Sequence, residues 1–319
     1  MQAARRPRIL VVGSLNMDLV VRVDRAPGPG ENVPGRDFAT IPGGKSSNQA
    51  VAAARLGGTT AMIGAVGADA FGASLKAGLD ANGVDVRGVL VRDGTPSGTA
   101  IIVVEPGGDA RLIISGGANG TLSPSDLEAR ADAFAGADVV LTGFEIPMGT
   151  VAAAIRMAKQ AGAAVVLDAG PPTAEACREA FEVDVLSPNE AEAAALLGMA
   201  PSAGADALAA ALADRAAGAV VLKCGAAGAI VVDAGVTIEK RGHAVEVVDT
   251  TAAGDAFTAA LAVALGAGCE LAAATEWANC AGALACTVFG AQPSMPTLGA
   301  VNAFAKAVGS TELNMQKGR

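Results

Sequence analysis

Short apolar runs of strand length alternate with helical stretches along most of this 319-residue chain, and that rhythm restricts its fold more than any other feature. Ala61 to Val66, Val139 to Thr142, Ala164 to Asp168, Val185 to Leu186, Ala219 to Leu222 and Ile230 to Val232 read as strands. Leu75 to Asn82, Pro124 to Phe134, Thr150 to Ala161, Glu190 to Leu197 and Gly204 to Ala216 read as helices. Such strands separated by helices predict an α/β fold: a central, mostly parallel sheet, helices on both faces and right-handed crossovers. The 41 glycines suit the many tight strand-to-helix turns that this architecture needs.

Some segments break the rhythm. Val20-Val21-Arg22-Val23, Gly98 to Val104 and Ala110 to Ile114 are too polar or alternating for a doubly covered sheet. They predict a small antiparallel sheet with one exposed face, drawn from noncontiguous spans of roughly 18–42 and 96–116. Such a sheet could close as a lid, which leaves residues 1–319 as a single domain carrying an insertion.

Polar residues gather where strands end. Ile9 to Val12 runs into Gly13-Ser14-Leu15-Asn16-Met17-Asp18, and Asn16 and Asp18 share one side of an extended segment, suited to gripping vicinal hydroxyls. An Asx turn explains the same pair equally well. Pro42-Gly43-Gly44-Lys45-Ser46-Ser47-Asn48-Gln49 precedes a helix read from Ala50 to Leu56. Residues 39–46 fit a relaxed P-loop spelling, but no buried strand leads into them and Pro42 lies inside the loop. A glycine turn that sets Lys45 and Asn48 against a small polar ligand fits better. Glu145 follows a strand, and Glu190 and Glu192 open a helix, where acids are favoured anyway. Lys223-Cys224-Gly225-Ala226-Ala227-Gly228 would let a flat ligand or a phosphate approach the backbone.

Asp249-Thr250-Thr251-Ala252-Ala253-Gly254-Asp255-Ala256-Phe257-Thr258 carries the strongest chemical signal. Small residues lead into a helix beginning near Gly254-Asp255, so backbone N–H groups and the helix dipole would face a common point suited to an anion. A carboxylate there repels a phosphate unless its task is to take a proton. Phosphoryl transfer to a hydroxyl needs both parts. A capped helix with Asp255 in its first turn is the structural alternative.

The net charge of −9 argues against nucleic-acid and membrane-surface partners. Cys177, Cys224, Cys269, Cys280 and Cys286 show no C-x-x-C spacing and read as reduced, mostly buried thiols, which points to the cytoplasm. Arg5, Arg6 and Arg8 lead straight into a strand rather than into the apolar core of a signal peptide. The uncharged run from Trp277 to Ala305 is broken by Asn279, Gln292, Pro293 and Pro296, so it reads as a buried helix and a loop. The single histidine, His243, gives histidine triads and multi-histidine zinc sites little to work with and reads as a surface or strand residue.

Taken together, Gly13 to Asp18, Gly43 to Ala50, Ser187-Pro188-Asn189-Glu190-Ala191-Glu192, Asp249 to Asp255 and Gly290-Ala291-Gln292-Pro293-Ser294 resemble the ribokinase group of the PfkB-type carbohydrate kinases, in order and over nearly the whole chain. Pro29-Gly30-Glu31 and Gly117-Ala118-Asn119 add short signatures. The resemblance implies a ribokinase-like fold and transfer of the ATP γ-phosphoryl group to a sugar's primary hydroxyl, the 5-hydroxyl if the sugar is ribose. It makes Asp255 the base and Ala252, Ala253 and Gly254 the anion hole. Asn16, Asp18, Gly44, Lys45, Asn48 and Glu145 would hold the sugar. Asn189, Lys223, Gly225, Gly228, Gly254 and Asn279 would meet the nucleotide, and Glu192 belongs to the motif linked to Mg2+. Asp249, Thr251, Ala285, Val288, Gly290 and Ser294 would surround an activating K+. A homodimer through paired lid sheets is expected.

The chain departs from the family pattern at Ser46, where glycine is common, at Ser47, where alanine often stands, and at Ala259, a usual glycine. Lys223 replaces a small hydroxyl residue and could reach the nucleotide phosphates. These changes leave the reaction type intact and bear on the sugar. Rival readings are a kinase for deoxyribose, fructose or a nucleoside, a non-catalytic sugar-binding protein, and a P-loop NTPase. With 3% aromatic content and no tyrosine, the chain offers little wall for a nucleoside base.

Overall fold

A computed structural model describes residues 6–107, 110–200, 202–310 and 312–313. Arg5, and residues 108–109 within the expected lid span, lie outside the described residues. In chain order the strands are β1 (Arg8–Val12), β2 (Asn16–Val23), β3 (Gly35–Gly43), β4 (Thr59–Gly67), β5 (Asp85–Arg92), β6 (Gly98–Val104), β7 (Ala110–Ser115), β8 (Val139–Gly143), β9 (Ala164–Asp168), β10 (Val185–Ser187), β11 (Ala219–Lys223), β12 (Gly228–Asp233) and β13 (Val236–Arg241). The helices are α1 (Lys45–Arg55), α2 (Ala70–Ala81), α3 (Pro124–Glu128), α4 (Ala131–Ala135), α5 (Met148–Gln160), α6 (Glu190–Leu197), α7 (Ala205–Ala213), α8 (Ala253–Gly266), α9 (Leu271–Ala285), α10 (Ala291–Ser294) and α11 (Leu298–Ala307).

The large sheet runs β13-β12-β11-β10-β9-β8-β1-β4-β5. It is parallel except where β12 joins β11 and β13. Side chains alternate across each strand, so Ile9 and Val11 of β1 enter the layer under α1, α2, α8, α9 and α11. Leu10 and Val12 enter the opposite layer, under α3 to α7. Both faces are covered, as the apolar strands require. Alanine lets α8 lie close in the first layer: Ala256, Ala259, Ala260, Ala262 and Ala264 are wholly buried. From the adjacent β1 and β8 the strand order proceeds in opposite directions, which opens a crevice at their carboxyl ends.

The small sheet runs β3-β2-β6-β7. Its outer pairings are antiparallel, and β2 pairs with β6 in parallel because residues 24–97 intervene.

Several local expectations change. Strand β2 already begins at Asn16, so Asn16 and Asp18 lie in a strand and the Asx-turn alternative falls. Helix α1 begins at Lys45 rather than Ala50, its polar first turn buried against the crevice. Because β3, which precedes it, is an antiparallel strand of the small sheet, the P-loop reading falls too. Strands β5 and β13 escaped notice because they are sheet edges with mixed, partly exposed sequences. The expected 124–134 helix breaks at Arg130 into α3 and α4. Beyond Trp277, α9 gives way to a loop and then to α10 and α11. No helix among the described residues is long and apolar enough to cross a membrane.

His243 is half-buried in a loop rather than a strand, with Nε2 3.4 Å from Cys280 Sγ and its ring edge-on to Phe304. All five cysteines are free, but only Cys280 is buried. The others are half-covered because they sit near element ends.

Candidate active site

The crevice collects charge from strand ends and helix first turns. Helix α1 has no side-chain cap of its own, since Gly44 stands at its N-cap. Glu145, just beyond β8, fills that role: its Oε2 accepts the Lys45 N–H at 3.0 Å and the Ser14 hydroxyl. Gly44 itself has φ 92, and a Cβ there would lie 2.7 Å from the Asn16 nitrogen. Only glycine brings the turn this close to β2.

Asp255 lies in the first turn of α8 and is 5% exposed. Its Oδ2 accepts from Asn48 Nδ2 at 2.9 Å, its Oδ1 from Gln49 Nε2 at 3.4 Å, and Lys45 Nζ stands 3.7 Å away. Burial, reinforced by Asp168 and Glu145 and only partly countered by Lys45 and Asn48, raises its pKa to about 6. Asp18 is also largely buried, with its carboxylate against Gly43. Burial, then Glu145 and Asp255, raises its pKa to about 7. Beside it, Asn16 Oδ1 accepts from Asn119 Nδ2 at 2.8 Å, while Asn119 clamps both backbone groups of Leu15.

Two lysines balance these acids. Lys45 Nζ lies 3.5 Å from Asp168, 3.6 Å from Glu192 and 3.7 Å from Asp255. Burial alone would ease loss of its proton, but Asp168, Asp255, Glu192 and Glu145 hold its pKa well above the ordinary value. Lys223, at the end of β11, reaches Asp168 at 3.4 Å and Thr258 Oγ1 at 3.3 Å. Asn16, Asp18, Gly44, Lys45, Asn48, Glu145 and Asp255 thus converge, and Glu192 and Lys223 join them.

The other sites expected from sequence form a rim. Asn189 and Glu192 make a reciprocal capping box on α6, with bonds of 2.7 and 2.8 Å, so the structural reading of this motif holds as well. A parallel bridge sets Asn189 beside Lys223. Gly225 and Gly228, with φ 55 and 105, shape the turn after β11. Gly242 N–H bonds back to that turn at Ala227, and Asn279 Nδ2 holds the carbonyls of Lys240 and Arg241.

Ala252 enters α8 in the left-handed region, φ 60, and the Ala253 N–H bonds Thr250 O at 3.2 Å. Asp249 ties the preceding loop: Oδ1 accepts from Thr251 N at 2.9 Å and Oδ2 from Gly290 N at 2.8 Å. Burial opposes ionisation there, but the Thr251 side chain, the Gly290 and Thr251 N–H groups and the charge of Arg22 keep Asp249 below the usual carboxylate range. Val288 N–H meets Ala285 O at 3.4 Å, and the Ser294 hydroxyl bonds Ala291 O at 2.7 Å.

Sequence reasoning missed Asp168, Gln49 and Thr258, which the structure puts at the floor of the crevice. The available signals were slight: an acid ending an apolar run, and polar residues next to or three beyond Asn48 and Asp255.

Residues 6–298 match the family model described as pfkB family carbohydrate kinase. The chain is 37% identical to the ribokinase of Bacillus subtilis (strain 168), over 91% of this chain and 96% of that one. It is 33% identical to the ribokinase of Haemophilus influenzae, over 92% and 96%. The structure of Arabidopsis thaliana ribokinase complexed with ribose and ATP superposes with a TM-score of 0.88 at 33% identity, covering 95% of this chain and 99% of that one. With the match spanning both sheets and the whole crevice, the chain belongs to the pfkB family of carbohydrate kinases.

Proposed function

We propose that this protein transfers the γ-phosphoryl group of ATP to the 5-hydroxyl of D-ribose, yielding ribose 5-phosphate and ADP. The observation that carries the reading is Asp255: a buried carboxylate of raised proton affinity, at the first turn of α8 and held by Asn48. A relative of the same fold, 33% identical, was solved with ribose and ATP. Asn16, Asp18, Gly44, Lys45, Asn48 and Glu145 hold the sugar. Asp255 takes the proton of the 5-hydroxyl, the hydroxyl oxygen of the sugar forms the bond to the γ-phosphorus, and the bond from that phosphorus to the β-phosphate oxygen breaks, releasing ADP. The turn Ala252-Ala253-Gly254, at the positive end of α8, stabilises the developing charge. Asn189, Lys223, Gly225, Gly228, Gly254 and Asn279 contact the nucleotide.

Among the described residues no group of three His, Cys, Asp or Glu side chains could hold a metal ion. Glu192 is occupied by Asn189 and Lys45, so it fits a supporting role towards Mg2+ bound mainly by the ATP phosphates. The oxygens of Asp249, Thr251, Ala285, Val288, Gly290 and Ser294 are hard donors that fit K+, which would neutralise charge and steady the loop before α8. The chain works as one domain whose small sheet is a lid excluding water. Exposed Phe38, Leu112, Ile113 and Ile114 on the edge strands β3 and β7 support a homodimer through that sheet. The free thiols fit a cytoplasmic setting.

The test measures ADP release from MgATP with K+ over ribose, deoxyribose, fructose and nucleosides, in wild type and Asp255→Asn. The expected result is ribose as best substrate and a loss of roughly 100- to 10,000-fold in kcat for the variant, with ribose binding retained. Absence of sugar-stimulated ADP release in wild type overturns the kinase reading. Sedimentation showing only monomer overturns the dimer.

A further inference from the structure

Asp168 is wholly buried at the carboxyl end of β9, among the groups that line the crevice. Its Oδ1 lies 3.4 Å from Lys223 Nζ, 3.5 Å from Lys45 Nζ and 3.2 Å from the Gly170 N–H. Its Oδ2 accepts from Gln49 Nε2 at 2.7 Å and stands 3.4 Å from Thr258 Oγ1. One carboxylate therefore gathers groups from α1, β11 and α8. A buried charge of this kind is weak evidence for stability, because apolar packing can replace it without loss. What it does uniquely is fix directions.

Two chains of contact leave it. Through Gln49, whose Nε2 also reaches Asp255 Oδ1, it is joined to the base of the reaction. Gln49 must aim its N–H groups this way, since both neighbours only accept, and its Oε1 is left buried without a partner. An unpaired buried acceptor is unfavourable, which argues that the bridge itself is selected by the geometry. Through Lys223 it is joined to the anion-binding turn. Lys223 Nζ meets Thr258 Oγ1, which bonds Gly254 O at 2.8 Å, and a Cβ on Gly254 would stand 3.8 Å from the ammonium.

We propose that Asp168 is a positioning residue for phosphoryl transfer, holding Lys45 and Lys223 side by side beneath the reacting groups and aligning Asp255 through Gln49. This rests on the reading of Asp255 as the base. Asp168 touches neither sugar nor phosphate; it acts through the lysines and the glutamine. The charges facing Asp255 are Lys45 from α1, Asp168 from β9, Glu145 beyond β8 and Asp18 from β2, with Lys223 behind Asp168. Removing the Asp168 charge therefore makes Asp255 easier to ionise, in addition to loosening the lysines.

The experiment compares wild type, Asp168→Asn and the double variant Asp168→Asn/Lys223→Met, in which no lysine is stranded without its partner. It measures kcat, KM for ribose and ATP, ribose binding by calorimetry, and the pH profile. The expected result is a fall of roughly 10- to 100-fold in kcat with ribose affinity kept within about threefold, and an acid limb displaced to lower pH. Loss of folded enzyme alone would lower the rate without moving that limb, and the fall in kcat at the plateau reports the positioning. Wild-type kcat and an unmoved limb in either folded variant overturn the proposal. Asp255→Asn, assayed alongside, reads the base by itself: undiminished turnover there overturns that assignment, while the kcat of the Asp168 variants still reports on the lysines.

Discussion

Asn48 Nδ2 donates to Asp255 Oδ2 at 2.9 Å, so α1, which follows the Gly43-Gly44 turn, grips the carboxylate at the start of α8. That bond favours the ionised form of Asp255, and burial with Asp168 opposes it. In its proposed role as base Asp255 works only when ionised, so activity should decline as pH falls through about 6. Asn48→Ala removes a donor that lowers the pKa, and the acid limb of kcat/KM moves to higher pH. This is the opposite of the displacement expected for Asp168→Asn. A pH–rate profile of the two variants side by side checks the signs.

Asp18 supplies a stability prediction. Its folded-state pKa, about 7, lies above the ordinary value of 3.8, so the contribution of Asp18 to the stability of the unliganded fold is fully present below 3.8 and is lost as pH rises through about 7. Asp18→Asn does not titrate. Its gain in Tm over wild type should therefore be small at acid pH and grow to roughly 2–5 °C above neutrality. The same change should raise KM for ribose, because an amide replaces a two-oxygen acceptor in the proposed sugar site. Thermal scans at several pH values, with and without ribose, test both halves.

Gly44 gives a steric prediction. Gly44→Ala adds a Cβ 2.7 Å from the Asn16 nitrogen at a residue with φ 92, so both backbone strain and a clash with β2 follow. A loss of about 2–4 kcal/mol in unfolding free energy is expected. Sugar affinity should fall with it, whereas ATP affinity should change little, since the residues proposed to meet the nucleotide lie at β11, α6 and α9. Urea unfolding and separate calorimetric titrations distinguish the two ligands.

The alternating runs made the central sheet legible because β1, β4, β8, β9 and β11 are buried on both faces and must be apolar. Strands β5 and β13 were not, since an edge exposed to water places no such demand on Asp85–Arg92 or Val236–Arg241. The start of α1 was hidden for a related reason: Lys45, Ser46, Ser47, Asn48 and Gln49 are polar because they face a ligand crevice, which erases the helical pattern. Within the crevice, Asp255 stood out through its motif. Asp168 did not, because its importance lies in partners that are over a hundred residues distant from it on α1 or come from separate elements such as β11 and α8.

The last prediction concerns the loop before α8. Asp249 accepts from Thr251 N–H and Gly290 N–H, and the Cys286 carbonyl accepts from Val248 N–H and, at 3.2 Å, Asp249 N–H. These bonds join the loop to the end of α9 and the start of α10, so whatever steadies them also steadies the entry to α8. Potassium among the oxygens there should raise kcat without much effect on ribose affinity, because the residues proposed to hold the sugar lie mainly on α1 and β2. Asp249→Ala removes the carboxylate that organises the loop and its charge toward the ion. Its activity should be low and nearly the same in potassium and in tetramethylammonium, whereas wild type should be clearly faster in potassium. Equal wild-type rates in the two salts would show that this loop needs no ion to hold the anion-binding turn in place.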